Sequence, residues 1–164
     1  MANTLHLHLG KHRFGTIKAY TIESWAEADQ KWIFPKLAGG LAHLRDQLPG
    51  SVNPPIMISD DITVYPKFKR KGLGSAGMLA ALLHFRTNGS RVAFLRIGTQ
   101  GEDWKRGKLW RQNMYQKLGW IVLDNHPCET GDVPIMWHPM VGYLSCSRVN
   151  EITLEIVDDN LFWS

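Results

Sequence analysis

The chain has 164 residues, 44% apolar and 21% charged, with 19 Lys and Arg against 15 Asp and Glu for a net charge of +4 at pH 7. That length supports one domain, residues 1–164, with its own core, and the balanced composition excludes a disordered or low-complexity chain. No apolar run approaches the ~20 residues of a membrane helix, and the only cysteines, Cys128 and Cys146, have no CxxC spacing, so they read as reduced thiols.

The first residues, Met-Ala-Asn-Thr-Leu-His-Leu-His-Leu, lack the charged region and apolar core of a secretory leader, so a cytoplasmic location is expected. The excess of positive charge favours anionic partners, and a ligand with several phosphates would account for part of it without nucleic acid. Seven tryptophans raise base stacking as an alternative, but Trp25, Trp32, Trp104, Trp110, Trp120, Trp137 and Trp163 are scattered and do not interleave with a basic stripe; they read as core or groove residues.

In chain order, Leu5, Leu7 and Leu9 alternate with His6 and His8, and a connection over Gly10–Gly15 leads to a second strand at Thr16–Ile22, which predicts an N-terminal β-hairpin. His6, His8 and His12 read as solvated polar positions, and no metal is expected: no acidic or cysteine partner lies nearby in sequence. Ser24-Trp-Ala-Glu27 has capping-box spacing and starts a helix at Trp25 that runs to Phe34 before Pro35. Leu37, Leu41, Leu44 and Leu48 then mark a second helical segment up to Pro49-Gly50.

The stretch that organises the rest is Ile62 to Ser75. Ile62, Thr63, Val64 and Tyr65 are β-branched or aromatic and read as the end of a strand closed by Pro66. From Ser75 an apolar stripe at Met78, Leu79, Leu82 and Phe85 predicts a helix of about three turns, stopped at Asn88-Gly89. Between them lie Lys67, Lys69, Arg70 and Lys71, then Gly72 and Gly74. Glycines at a helix start let a phosphate reach unpaired N–H groups while cations attract it from outside. A basic run alone reads equally as a solvated turn or a nucleic-acid patch, and neither the dinucleotide nor the Walker glycine pattern is present.

Arg91–Ile97 reads as the adjacent strand, which makes a parallel pair through a right-handed crossover. Gly98–Gly101 is a loop, Asp103 an N-cap, and Trp104–Leu118 a helix with Trp110, Met114 and Leu118 on one stripe, ended by Gly119. Trp120–Leu123 is read as a strand, His126–Pro139 as an extended loop, Met140–Leu144 and Glu151–Val157 as strands, and 158–164 as a tail that frays, docks on the core or supplies dimer contacts.

Lys69-Arg-Lys-Gly72-Leu-Gly74 resembles motif A of the GNAT superfamily of acyl-CoA N-acyltransferases, which is Arg or Gln, two residues, Gly, one residue, then Gly or Ala; here Lys69 takes the first place. Tyr115-Gln-Lys-Leu-Gly-Trp120 resembles the second signature, a tyrosine four residues before glycine and an aromatic. The resemblance spans Ile56 to Leu123 and implies an α/β (α+β) GNAT fold: a mixed twisted sheet flanked by helices. It implies acetyl transfer from acetyl-CoA to an amine-bearing small molecule or protein acceptor.

The resemblance also implies roles. The strand at Val64 would offer backbone groups to the pantetheine arm, and Lys69, Arg70, Lys71, Gly72, Leu73, Gly74 and Ser75 would hold the pyrophosphate. Tyr115 would protonate the departing thiolate, since a phenol can donate a proton. For the base, alternation places Asp60 on the face of Ile62 and Val64, and Asp60 is the candidate. The family's asparagine seven residues before the tyrosine is Lys108 here, and the usual hairpin before motif A has only Ser51–Asp61, with Pro54-Pro55 inside it. At most one short strand fits there, so the N-terminal hairpin is expected to supply the missing edge. Membrane and nucleic acid are not expected partners, and a homodimer stays open. The rival readings are a CoA-binding domain without catalysis and a basic nucleic-acid or protein-binding module.

Overall fold

The structure, a computed structural model, describes residues 2–28, 48, 53–60, 62–96, 104–122, 135–142 and 144–158. The expected helix beyond Ala28, the second helical segment apart from buried Leu48, the Asp103 cap, Cys128 and the tail after Asp158 lie outside the described residues.

The N-terminal hairpin forms from β1 (Ala2–Leu9) and β2 (His12–Ile22), paired antiparallel with Leu5 opposite Ile17 and Leu7 opposite Gly15. Its turn is tighter than the sequence suggests: only Gly10-Lys11 separate the strands, and His12–Gly15 belong to β2. Helix α1 begins at Trp25 and is described to Ala28. Half of its capping box forms as expected, the Glu27 N–H donating to Ser24 Oγ at 3.2 Å, and the Glu27 carboxylate reaches back one residue beyond the cap, accepting from the Glu23 N–H at 3.0 Å.

Beyond α1 come β3 (Ile56–Asp60), β4 (Thr63–Val64), a 3-10 turn (Pro66–Phe68) and α2 (Leu73–Thr87), then β5 (Val92–Arg96) and α3 (Trp104–Lys117). β6 (Ile121–Val122), β7 (Ile135–His138), a second 3-10 turn (Val149–Glu151) and β8 (Ile152–Asp158) complete the described chain. The described strands form one sheet of order β6-β7-β5-β3-β2-β1-β8, with β4 off this path on β2. Only β3 and β5 run parallel, as expected for strand–helix–strand order; the other pairs are antiparallel. The hairpin does supply the missing edge, because β2 lies directly against β3 with Tyr20 opposite Ile58.

One strand falls elsewhere than expected. Ile135-Met-Trp-His138, placed by sequence inside a long loop, is β7, paired along its length with β5 and at Met136 and Trp137 with β6. Residues 140–142 are not a strand, and Met140 has φ 52°, a left-handed value that β backbone excludes. The polar and turn residues around 126–134 mask three consecutive apolar residues and a histidine, a run too short to register as a strand.

Strand alternation divides the sheet into two faces. Leu5, Leu7, Ile17, Ala19, Met57, Ala93, Leu95 and Met136 share a core with Leu73, Met78, Leu79, Leu82 and Phe85 of α2 and Tyr115 of α3. On the opposite face Tyr20, Ile22, Ile56, Ile58, Val92, Phe94 and Ile135 are also buried. A strand buried on both faces reads as a continuous apolar run, which is why Ile56-Met-Ile shows no polar alternation.

Candidate cofactor cradle and active site

The site begins where the sheet comes apart. β3 stops at Asp60, and when the chain resumes at β4 it pairs with β2 alone, Gly15 opposite Val64 and Thr16 opposite Thr63, closed by the Tyr65 N–H donating to the Phe14 carbonyl at 2.8 Å. Among the described strands, β4 therefore presents its second edge unpaired, while β3 continues the pairing with β5. Gly15 permits this: a Cβ there would drive into the Thr63 carbonyl.

The break corrects the reading of Asp60. Period-two alternation across Asp60, Ile62 and Val64 would put all three on one face, but the interruption resets the register. Asp60 lies with Ile56 and Ile58 on the face away from α2, opposite Arg96, whereas Ile62 and Val64 pack against the α2 core.

From β4 the chain passes through the 3-10 turn into the basic loop. Arg70 has φ 64° and Gly72 φ 74°, so two left-handed residues reverse the chain just before α2. Gly72 is the N-cap and has no side-chain cap, so the first N–H groups of α2 are left to solvent or a ligand. The Gly72 carbonyl accepts from the Ala76 N–H at 3.2 Å. Helix formation starts at Leu73, two residues before the sequence estimate. Lys67, Lys69, Arg70 and Lys71 are all exposed around this helix start. Lys67 and Lys71 place their ammonium groups 5.7 and 6.0 Å from the Phe68 ring centre, which steadies them beside the loop.

Two cations that sequence reading did not assign join this cluster. Arg13 of β2 lies 5.5 Å over the Tyr65 ring and donates to His6 Nδ1 at 2.9 Å. Arg148 donates to the Lys71 carbonyl at 3.4 Å and to Glu151 Oε2 at 3.1 Å, so the turn before β8 leans on the loop. Both come from distant sequence positions, and no local signal marks them.

On the other side of the break stands α3. Tyr115 is fully buried, and its hydroxyl accepts from the Ile62 N–H at 3.2 Å, where β3 gives way to β4. One residue earlier, Met114 Sδ lies 3.6 Å from where a Gly74 Cβ would stand, and Val64 lies 3.7 Å from the same point. Gly74, Val64, Met114 and the Tyr115 hydroxyl are thus brought together at the first turn of α2, and Asp60 is held on the far side of the sheet. The expected stripe on α3 is graded: Leu118 and Tyr115 are buried, Met114 is half-buried and Trp110 is 66% exposed.

The position of Tyr115 is fixed from behind by His138 of β7, which is buried. Its Nε2–H donates to the Leu118 carbonyl at 2.9 Å, and its Nδ1 accepts from the Met140 N–H at 2.9 Å. A carbonyl only accepts and an amide only donates, so these bonds specify the neutral imidazole. Burial pushes the His138 pKa down, the Leu118 bond opposes that, and the Arg86 charge adds to it. The α3 end is closed by the Trp120 N–H on the Tyr115 carbonyl (3.1 Å) and the Gly119 N–H on the Gln116 carbonyl (3.0 Å), the Schellman pattern. A Cβ at Gly119 would come within 2.8 Å of His138 Nε2.

The histidines of β1 have an acidic neighbour that sequence separation hid. β1 pairs with β8, and Glu155 Oε1 lies 3.3 Å from His6 Nδ1, with Oε2 3.9 Å from His8 Nε2. Among the described residues no group of three or more His, Cys, Asp or Glu is arranged to hold a metal ion. Cys146, half-buried, is a free thiol whose pKa burial raises, which disfavours the reactive thiolate.

No protein-family model and no curated protein sequence matches the chain. Solved structures do. AAC(6')-Ib in complex with paromomycin and acetyl-CoA aligns with a TM-score of 0.52 at 13% identity, over 84% of this chain and 64% of that one. An apo agmatine N-acetyltransferase variant aligns at a TM-score of 0.49 and 16% identity, over 79% and 72% of the two chains. SsHAT aligns at 0.46 and 15%, over 80% and 68%. The chain therefore spans just under two thirds of the length of AAC(6')-Ib. The chain shares the fold of AAC(6')-Ib, a mixed sheet with helices against it.

Proposed function

We propose that this protein is an acetyl-CoA-dependent N-acetyltransferase acting on an amine acceptor, built as a single domain. The observation that carries the reading is the continuity of three features: the unpaired edge of β4, the uncapped start of α2 behind Gly72, and the Tyr115 hydroxyl at the Ile62 N–H. An extended amide chain adds to an open strand edge by backbone hydrogen bonds, and a pyrophosphate fits unpaired N–H groups at a helix start. The loop cations Lys69, Arg70 and Lys71 supply the charge match.

In this reading the thioester lies near the break between β3 and β4. A free amine attacks the acyl carbon and the thiolate departs with a proton. Tyr115 gives that proton: the Ile62 N–H donated to its oxygen stabilises the phenolate that is left, which favours proton release. Asp60, on the opposite face of the sheet, accepts the proton of an amine entering from that side.

The full burial of Tyr115 favours one rival, in which the tyrosine is a structural anchor and the domain binds CoA without catalysis. Calorimetry with acetyl-CoA, followed by thiol release across a panel of small amines and peptides, separates the two. Binding with acceptor-dependent thiol release supports the enzyme. Binding with no release from any acceptor moves the assignment to the non-catalytic domain, and no binding rejects both.

A further inference from the structure

Trp110 is the largest exposed apolar side chain among the described residues, with 66% of its surface open. Tryptophan is enriched where a partner or ligand packs on the surface, because its ring offers a large apolar face and a polar N–H. Its place on α3 says what that is. Met114, one turn further along the same stripe, sits against Gly74 in the first turn of α2. β3 and β5 run parallel, so α2 and α3, which follow them, start from the same end of the sheet. Four residues back along α3 is about 6 Å toward its start. Trp110 is thereby carried past the first turn of α2, to the side where Lys69, Arg70 and Lys71 surround the uncapped N–H groups.

We propose that Trp110 is the stacking platform for the nucleotide base of the acyl carrier, which covers the indole when the phosphates rest on the loop. This rests on the acyl-CoA reading above. The aromatic rings of the loop itself are already engaged: Phe68 has Lys67 and Lys71 beside it and packs 6.4 Å from Phe14, and Tyr65 carries Arg13. An exposed indole next to a cationic phosphate cradle matches a purine nucleotide in both shape and charge. Recognition by π-face tolerates different bases, so the platform selects for a nucleotide handle more than for one base.

The experiment compares ligands with and without the nucleoside. The wild-type chain, Trp110→Ala and Trp110→Phe are titrated calorimetrically with CoA and with 4'-phosphopantetheine, after melting curves confirm that each variant folds. Stacking lost on alanine substitution predicts about five- to hundredfold weaker CoA binding in Trp110→Ala. Phosphopantetheine affinity is expected to stay unchanged, and Trp110→Phe to fall between. Equal CoA affinity in wild type and Trp110→Ala, or equal weakening toward both ligands, overturns the proposal while leaving the acyl-CoA reading in place. A wild-type chain that binds neither ligand overturns both. Should Trp110→Ala fail to fold, the Trp110→Phe comparison decides, since the smaller ring must weaken CoA and spare phosphopantetheine.

Discussion

The Tyr115 hydroxyl accepts a hydrogen bond from the Ile62 backbone N–H, and this one bond ties α3 to the point where β3 ends and β4 diverges. It serves both a structural and a chemical role. Structurally it satisfies a donor that the strand break removed from the ladder, and chemically it holds a phenol beside the open strand edge.

Tyr115→Phe separates these roles. The ring keeps its packing against Trp120, 6.1 Å away between centres, but the Ile62 N–H loses its acceptor. A buried donor left unpaired costs about 1–3 kcal/mol, so a modest fall in stability is expected by denaturant titration. Binding of acetyl-CoA is expected to be nearly unchanged, while turnover falls by roughly 10²–10⁴ if the phenol is the acid. Equal turnover in wild type and variant removes Tyr115 from the mechanism and leaves only its anchoring role.

The cradle glycines predict a different pattern. Gly72 has open space around its missing Cβ but a left-handed backbone, so Gly72→Val pays about 1–2 kcal/mol in conformation and also blocks the approach to the α2 start. At Gly74 a methyl group just fits beside Met114 and Val64, whereas a larger side chain does not. Acetyl-CoA at about 100 times its dissociation constant should stabilise the wild-type chain by roughly 2.7 kcal/mol, read as a rise in melting temperature. The rise is expected to survive Gly74→Ala and vanish in Gly72→Val with Gly74→Val. A melting temperature raised by oligonucleotide and indifferent to acetyl-CoA would establish the nucleic-acid module instead.

The loop cations are exposed, and their attraction for phosphate is screened by salt. Replacing Lys69, Arg70 and Lys71 together with alanine is expected to raise KM for acetyl-CoA severalfold with little change in kcat, because phosphate contacts are alike in ground and transition states. KM of the wild type should rise with ionic strength and that of the variant much less. A fall in kcat at unchanged cofactor affinity would show that these residues act elsewhere.

Much of this arrangement was readable along the chain. The Ser24–Glu27 box, the alternation of Leu5, Leu7 and Leu9, and the helix stops at Gly89 and Gly119 are local signals, and each fixes an element by short-range chemistry. The strand–basic turn–helix order around Gly72 was legible locally, while Tyr115 was singled out by resemblance. What failed is non-local. The face of Asp60 depends on a break in the ladder that alternation does not register, and β7 depends on two strands waiting to pair with four residues. Arg13, Arg148 and Glu155 reach their partners only through sheet pairing or loop packing, and His138 binds the end of α3 from 20 residues away.

His138 gives the last prediction, on pH. Its two hydrogen bonds hold the neutral ring, and protonation at Nδ1 would set a new N–H against the Met140 N–H in a buried site. The folded pKa is therefore below the ordinary value of about 6.5, so the unfolded chain takes up the proton first. The contribution is fully present above pH ~6.5 and is lost as the pH falls from there toward the folded value, at a limiting slope of about 1.4 kcal/mol per pH unit for one proton. His138→Gln cannot titrate. It is expected to be less stable than wild type at pH 8 and to lose less on acidification to pH 5, measured by denaturant unfolding across that range. The His6 and His8 contacts with Glu155 are common to both proteins and cancel in the difference. Because Leu118 directly follows α3, three residues after Tyr115, turnover should fall with the same acid limb in wild type and lose it in the variant. Parallel stability curves for the two proteins would show that His138 stays neutral throughout and that the acid sensitivity lies in other groups.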